Sequence, residues 1–137
     1  MFIYNVKFVC GKAATKEFIV NPGLYTTEIN IFNFNNEKTA EIFKLFIPVV
    51  LKNRAIAREP KFEKPQAEER MKLPPNCATM DDCLKITKML NTDDSLKIGF
   101  LKIQSGLPLT VTAVYTVMNP ESKNVSIDVE SIYAERD

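Results

Sequence analysis

The sequence predicts a mainly β protein: an antiparallel β-sandwich of about seven or eight strands with one short α-helix near residues 79–90. Three observations carry this expectation. Leu107–Val117, LPLTVTAVYTV, alternates without a break after Pro108, with Leu109, Val111, Ala113, Tyr115 and Val117 on one side and Thr110, Thr112, Val114 and Thr116 on the other. That is the period of a strand with one apolar face, in residue types that suit a pleated surface. Comparable runs recur along the chain, separated by turn chemistry such as Asn21-Pro22-Gly23 and Asn119-Pro120-Glu121-Ser122. Only the segment after Leu73-Pro74-Pro75-Asn76 carries a helical stripe.

The elements follow in order. Phe2–Cys10 alternates loosely, with Phe2, Tyr4, Val6 and Phe8 on one side, and reads as a first strand. Thr15–Val20 reads as a short second strand. Leu24–Phe34 places Tyr25, Thr27, Ile29 and Ile31 on one face and Glu28, Asn30, Phe32 and Phe34 on the other. For Thr39–Leu51 two assignments compete. A helix would align Ala40, Phe43 and Ile47 and end at Pro48. Its β-branched and aromatic content, and the short polar loop before it, favour a strand paired with Leu24–Phe34. That strand carries Phe43, Leu45, Ile47 and Val49 on one face and Ile42, Phe46 and Val50 on the other, and Pro48 requires an edge, a bulge or an unpaired position. Lys52–Lys72 is charged and holds Pro60 and Pro65, as an exposed loop does, with an edge strand near Glu68–Leu73.

In the segment CATMDDCLKITKML, Thr79 is a suitable N-cap, and Asp81 and Asp82 fall where carboxylates favour a helix N-terminus. Leu96–Gln104 and Leu107–Val117, joined through Ser105-Gly106, are expected to form a central hairpin. Val125–Tyr133 alternates again, with Val125, Ile127 and Val129 expected to face in and Ser126, Asp128 and Glu130 out.

Composition bounds the chemistry. A chain of 137 residues is one domain by length, residues 1–137, and buries roughly two thirds of its surface. Its net charge of +1 gives no global field for nucleic acid or an anionic membrane. No apolar run approaches a membrane span, and MFIYNVKFVCGK lacks the basic start and cleavage site of a signal peptide. The expected location is the cytoplasm, with export by another route left open. Histidine is absent, which removes the commonest general base and metal ligand. Three cysteines, an odd number, favour free thiols over a disulfide framework.

Three constellations bring together residues of chemical interest. Cys77, Asp81, Asp82 and Cys83 cluster as a mixed thiolate and carboxylate set, but the spacing fits no structural zinc pattern, so structural thiols beside a capped helix are favoured over a metal site. Asp128 and Glu130 are neighbours on one strand face, where paired carboxylates can do acid–base work; a solvated face is the simpler explanation. Lys52, Arg54, Arg58, Lys61 and Lys64 are basic, but acidic residues interleave and only Phe62 offers a ring, which favours a solvated loop over a nucleic-acid site. No catalytic, cofactor-binding or metal residue is assigned.

Four segments in order, Tyr25–Asn33 (YTTEINIFN), Leu73–Cys83 (LPPNCATMDDC), Val111–Thr116 (VTAVYT) and Ser126–Glu130 (SIDVE), resemble a group of short, uncharacterised bacterial proteins. That resemblance implies no activity. The strand order, with Ser105, Leu107 and Pro108 before the last long strand pair, is also similar to the sensory rhodopsin transducer proteins. It implies a small soluble β-sandwich that assembles as an oligomer. The chain departs from them by the Ala78–Leu90 helix and the longer Lys52–Lys72 loop.

The expected function is therefore a non-enzymatic structural or interaction protein that self-assembles through sheet faces or edges, with no cofactor and no nucleic-acid partner. The alternatives are a small sensor or transducer-type binding module with a protein or small-ligand partner, and a metalloprotein using the Cys77–Cys83 region. A homo-oligomer is expected because Thr39–Leu51 is apolar on both faces and Phe32 and Phe34 share an outward face.

Overall fold

A computed structural model describes residues 1–13, 19–59, 61–62 and 67–136. The strands are β1 (Phe2–Ala13), β2 (Gly23–Phe32), β3 (Ala40–Leu51), β4 (Arg54–Ala55), β5 (Ala57–Arg58), β6 (Lys61–Phe62), β7 (Ala67–Leu73), β8 (Ala78–Asp82), β9 (Lys97–Ser105), β10 (Thr110–Met118), β11 (Val125–Ile132) and β12 (Glu135–Arg136). The one helix among the described residues is α1 (Cys83–Met89). The strand expected at Thr15–Val20 lies largely outside the described residues.

Two antiparallel layers face each other. The first runs β12–β1–β9–β3–β7, with β4 at the far end of β3. The second runs β11–β10–β2–β8. Strand β1 belongs to both. Its residues Phe2–Cys10 pair with β9, and Gly11, Lys12 and Ala13 pair with Tyr25, Leu24 and Gly23 of β2. The change of sheet occurs at Gly11, whose φ is +108°. A Cβ there would lie 2.6 Å from the Ser95 carbonyl oxygen, so only glycine fits.

The inner faces interdigitate as period-2 patterning requires. Tyr4, Val6, Phe8 and Cys10 from β1, Ile42 and Phe46 from β3, and Leu101 and Ile103 from β9 meet Ile29 and Ile31 of β2 and Val111 and Ala113 of β10. Thr39–Leu51 is a strand, and its Ile42, Phe46 and Val50 are buried while Phe43, Leu45, Ile47 and Val49 are half-buried on the outer face. Pro48 sits at a register shift between β3 and β9, beyond the stretch paired with β7. Its partner is Gly99, where a Cβ would come within 2.2 Å of the Ile47 carbonyl oxygen. The register shift thus accommodates a residue without an N–H, and the close approach at its partner requires one without a side chain.

Two expected pairings are replaced. Leu96–Gln104 and Leu107–Val117 do not form a hairpin: β9 pairs with β1 and β3, whereas β10 pairs with β2 and β11. Nor does β2 pair with β3. Both connections are arches that carry the chain from one sheet to the other. Buried polar groups hold them. The Tyr4 hydroxyl donates to the Leu109 carbonyl at 3.0 Å and accepts from its N–H at 2.8 Å. Asn33, fully buried, donates from Nδ2 to the Lys38 and Leu73 carbonyls, and its Oδ1 accepts from the Asn35 N–H. Such buried side chains satisfy backbone groups that no ladder reaches.

The helix starts later than the sequence suggested. Residues 78–82 form β8, Thr79 is paired with Ile31, and Asp82 is the N-cap, accepting from the Lys85 N–H at 2.9 Å. β-pairing to β2 overrides the helical stripe through Asp81. The cysteines are the larger correction. Cys10 and Cys83 form a disulfide, and Cys77 is free and exposed. The bond lies where β1 leaves the first sheet, beside the gap on β2 between its pairings with β1 and with β8. In that gap the Thr27 N–H points at Cys83 Sγ, 3.1 Å away.

The bond closes a loop of 73 residues in sequence, so its loss restores much chain entropy to the unfolded state. The Cys10→Ser/Cys83→Ser variant is expected to lose about 4 kcal/mol of stability. Urea denaturation read by circular dichroism measures it, and an unchanged midpoint contradicts the pairing.

Candidate interaction surface

The second sheet ends in β11, and β11 differs from the rest of the fold in being exposed along nearly its whole length. Its register explains why. Ala113 is opposite Glu130, Tyr115 opposite Asp128 and Val117 opposite Ser126. Residues directly opposite share a face, so Ser126, Asp128 and Glu130 lie on the inner side and Val125, Ile127 and Val129 on the outer side. This inverts the sequence expectation. Alternation groups residues by face but does not say which face turns inward; the pairing with β10 decides that. Val125, Ile127 and Val129 are consequently 57%, 68% and 64% exposed. Their neighbours on β10 are Met118, Thr116 and Val114, and on β2 the same face carries Leu24 and the exposed Phe32.

On the inner side, β11 overhangs the edge of β1 and leaves a groove of about 390 Å³. Tyr25, Tyr115 and Val117 line it, with Asp128 and Glu130 on one wall and Lys7 and Val9 on the other. The exposed edge of β1 is closed here by side chains. Thr27 Oγ1 accepts from the Val9 N–H and donates to the Val9 carbonyl, each at 2.9 Å. The Tyr115 hydroxyl donates to the Lys7 carbonyl at 2.7 Å. Burial, then the nearby Glu130 and Asp128 carboxylates, push the Tyr115 phenol up to about 12. It therefore remains a donor at any ordinary pH. The Tyr25 hydroxyl donates to the Asn21 carbonyl at the end of the same groove.

A second polar cluster is enclosed between the sheets. Lys44 of β3, 1% exposed, has its Nζ 2.9 Å from Asp81 Oδ2 and 3.2 Å from Glu69 Oε1. Lys85 of α1 reaches Glu69 Oε2 at 2.8 Å and Asp81 Oδ1 at 3.8 Å. Two cations and two carboxylates balance, which is how charges persist in an interior. Burial pushes the Glu69 carboxyl up, but hydrogen bonds from Lys85 and Lys44 and their charges outweigh it and hold it below its usual value. The Lys85 amine is raised, mainly by its hydrogen bond to Glu69. This is a neutralised strut joining β3, β7, β8 and α1. Lys97, also buried, has its amine lowered by burial against the opposing charges of Asp94 and Asp93.

The residues singled out by sequence separate. Asp81 is buried in the ionic cluster, Asp82 caps α1, Cys83 is bonded to Cys10, and Cys77 stands alone on the surface. Among the described residues no group of three or more potential ligands could hold a metal. Lys52, Arg54 and Arg58 are exposed, with exposed Glu59 beside Arg58; Lys64 lies outside the described residues. Asp128 and Glu130 do share a face, on the groove wall. Sequence reasoning missed Lys44 and Glu69; a lysine within the inward run Ile42–Phe46 was the available signal. Among the described residues no helix is long and apolar enough to cross a membrane.

Two outcomes follow from these charges and hydroxyls. Lys44→Met strips the Asp81 carboxylate of its closest cation and should cost about 3–5 kcal/mol, whereas Lys44→Met/Asp81→Leu should recover most of it. Chemical denaturation of the two variants provides the comparison; equal losses contradict the pairing. For Tyr115, the unfolded phenol releases its proton near its ordinary value of 10.0 while the folded one holds it to about 12. The native state then binds more protons, so stability falls as pH rises through that window. Tyr115→Phe should flatten this part of the stability–pH curve, and an unaltered slope contradicts the assignment.

Neither a family model nor a curated protein matches the chain. Among solved structures it is similar to the crystal structure of Thermotoga maritima 1070, with a TM-score of 0.57 and 10% identity over 96% of this chain and 90% of that one. At that identity the likeness concerns the fold, and it supports the mainly β architecture.

Proposed function

We propose that this chain is a non-enzymatic interaction protein that self-associates through its second sheet. The observation that carries this is the outer row Val125, Ile127 and Val129, solvent-exposed on a strand whose other edge is unpaired among the described residues. A contiguous apolar face on a sheet margin loses free energy when covered. The rest of the molecule offers less to chemistry. The buried Lys44 and Asp81 are paired with each other, and Cys83 is bonded and so unable to serve as a thiolate ligand with Cys77. The resemblance to oligomeric sensory rhodopsin transducer proteins points the same way. A second reading, a sensor or transducer-type binding module, is supported by the groove lined by Tyr25, Tyr115 and Asp128, which is of a size for a small ligand or a side chain. The Cys10–Cys83 disulfide weighs against a cytoplasmic location, because such bonds persist mainly in oxidising compartments.

Light scattering at micromolar concentration tests self-association. A mass at a multiple of 15.6 kDa is expected, and Ile127→Lys should shift it toward the single-chain value. A single-chain mass for the unmodified protein contradicts the proposal.

A further inference from the structure

Resting on self-association through the second sheet, we infer that β11 pairs antiparallel with β11 of a second copy, about a two-fold axis passing through Ile127. The margins at β1, β7, β8 and β11 differ in how they treat an added strand. The margin of β1 is occupied by Thr27 and Tyr115 and by its pairing with β12. Strand β7 carries Glu68, Glu69, Arg70 and Lys72 and ends at Pro74, and β8 is five residues long and runs into α1. Charged, interrupted or covered edges resist pairing. Strand β11, VSIDVESI, has eight residues, no proline and no lysine, and its outward N–H and C=O groups have no partner among the described residues.

The occupant follows from symmetry and charge. A two-fold axis normal to the sheet keeps outer faces continuous, so each residue must meet one of its own face. The axis then falls on a residue. On Asp128 it stacks two Asp128 carboxylates and sets Ser126 against Glu130. On Val129 it sets Asp128 against Glu130. Like charges directly opposite are destabilising. On Ser126 it shortens the ladder to Val125–Ile127. On Ile127 every pair is compatible: Ile127 meets Ile127, Val125 meets Val129 of the second copy, and the Ser126 hydroxyl can donate to the second copy's Asp128. The outer row becomes a six-residue apolar strip, and the backbone edge of each β11 is satisfied over Val125–Val129. The inward carboxylates that discourage indiscriminate pairing thus select one register and a second copy of this chain as the partner.

Single cysteines placed on β11 in a Cys77→Ser background, oxidised mildly and run without reductant, locate the axis. Ile127→Cys alone should shift most of the chain to a species of twice its 15.6 kDa mass. Val125→Cys and Val129→Cys should cross-link when mixed, and neither alone. Because all three positions are exposed, circular dichroism should match the parent, and light scattering before oxidation reports assembly separately. An assembled protein that cross-links through Val129→Cys alone overturns the Ile127 axis, one that cross-links through none of these positions overturns the edge pairing, and both leave self-association standing. A single-chain mass overturns both.

Discussion

The passage of β1 from one sheet to the other is the constraint on which the remaining architecture depends. Cys10 ends the stretch paired with β9, and Gly11 begins the stretch paired with β2. The Cys10–Cys83 bond fixes that corner to the junction of β8 and α1. On the side of β2 away from β10, β1 and β8 share the edge and leave room for nothing else. On its other side the second sheet extends through β10 to β11, whose outer edge is unpaired among the described residues. On the first sheet, β1 is itself a margin, and Thr27 and Tyr115 of the opposite sheet close it. One strand thus determines which edge is sealed and which remains open.

Beside the same junction the two layers are also held by charge. There Lys44 faces Asp81 across the layers, and Glu69 and Lys85 complete the group. An ion pair in such a place adds little net stability over a well-packed apolar pair, but it tolerates only one arrangement of β3 against β8. Asp81 must be paired in register with Ile29 for its carboxylate to reach Lys44. This requirement explains why residues 78–82 are a strand even though their composition suits the first turn of a helix. The disulfide and the ionic group therefore act at the same end of one short element, on Cys83 and Asp81.

What was legible in the sequence was face membership. Tyr4, Val6 and Phe8 share an inner face, as do Thr27, Ile29 and Ile31, and of the edge, bulge or unpaired position that Pro48 required the fold supplies a bulge. Partner choice was not legible, because a Ser-Gly or Asn-rich connection serves an arch as well as a hairpin; only the positions of Tyr4 and Asn33 in the fold separate the two. Strand β11 shows the same limit. Its alternation is plain, but the apolar set faces outward because its register to β10 places Asp128 beside Tyr115. The disulfide joins residues 73 apart, a distance at which spacing carries no geometric information. The candidate surface was thus visible as a strand and invisible as a surface.

The central functional claim concerns the unpaired margin of β11, and backbone amide exchange observes that margin directly. Exchange should be followed by mass spectrometry at high and at low protein concentration, under otherwise identical conditions. If a second copy covers the edge, peptides spanning Val125–Val129 should exchange slowly in the concentrated sample and much faster on dilution. Peptides from the margins at β7 and β8 should not change. Exchange in Val125–Val129 that is equally fast at both concentrations would contradict the account.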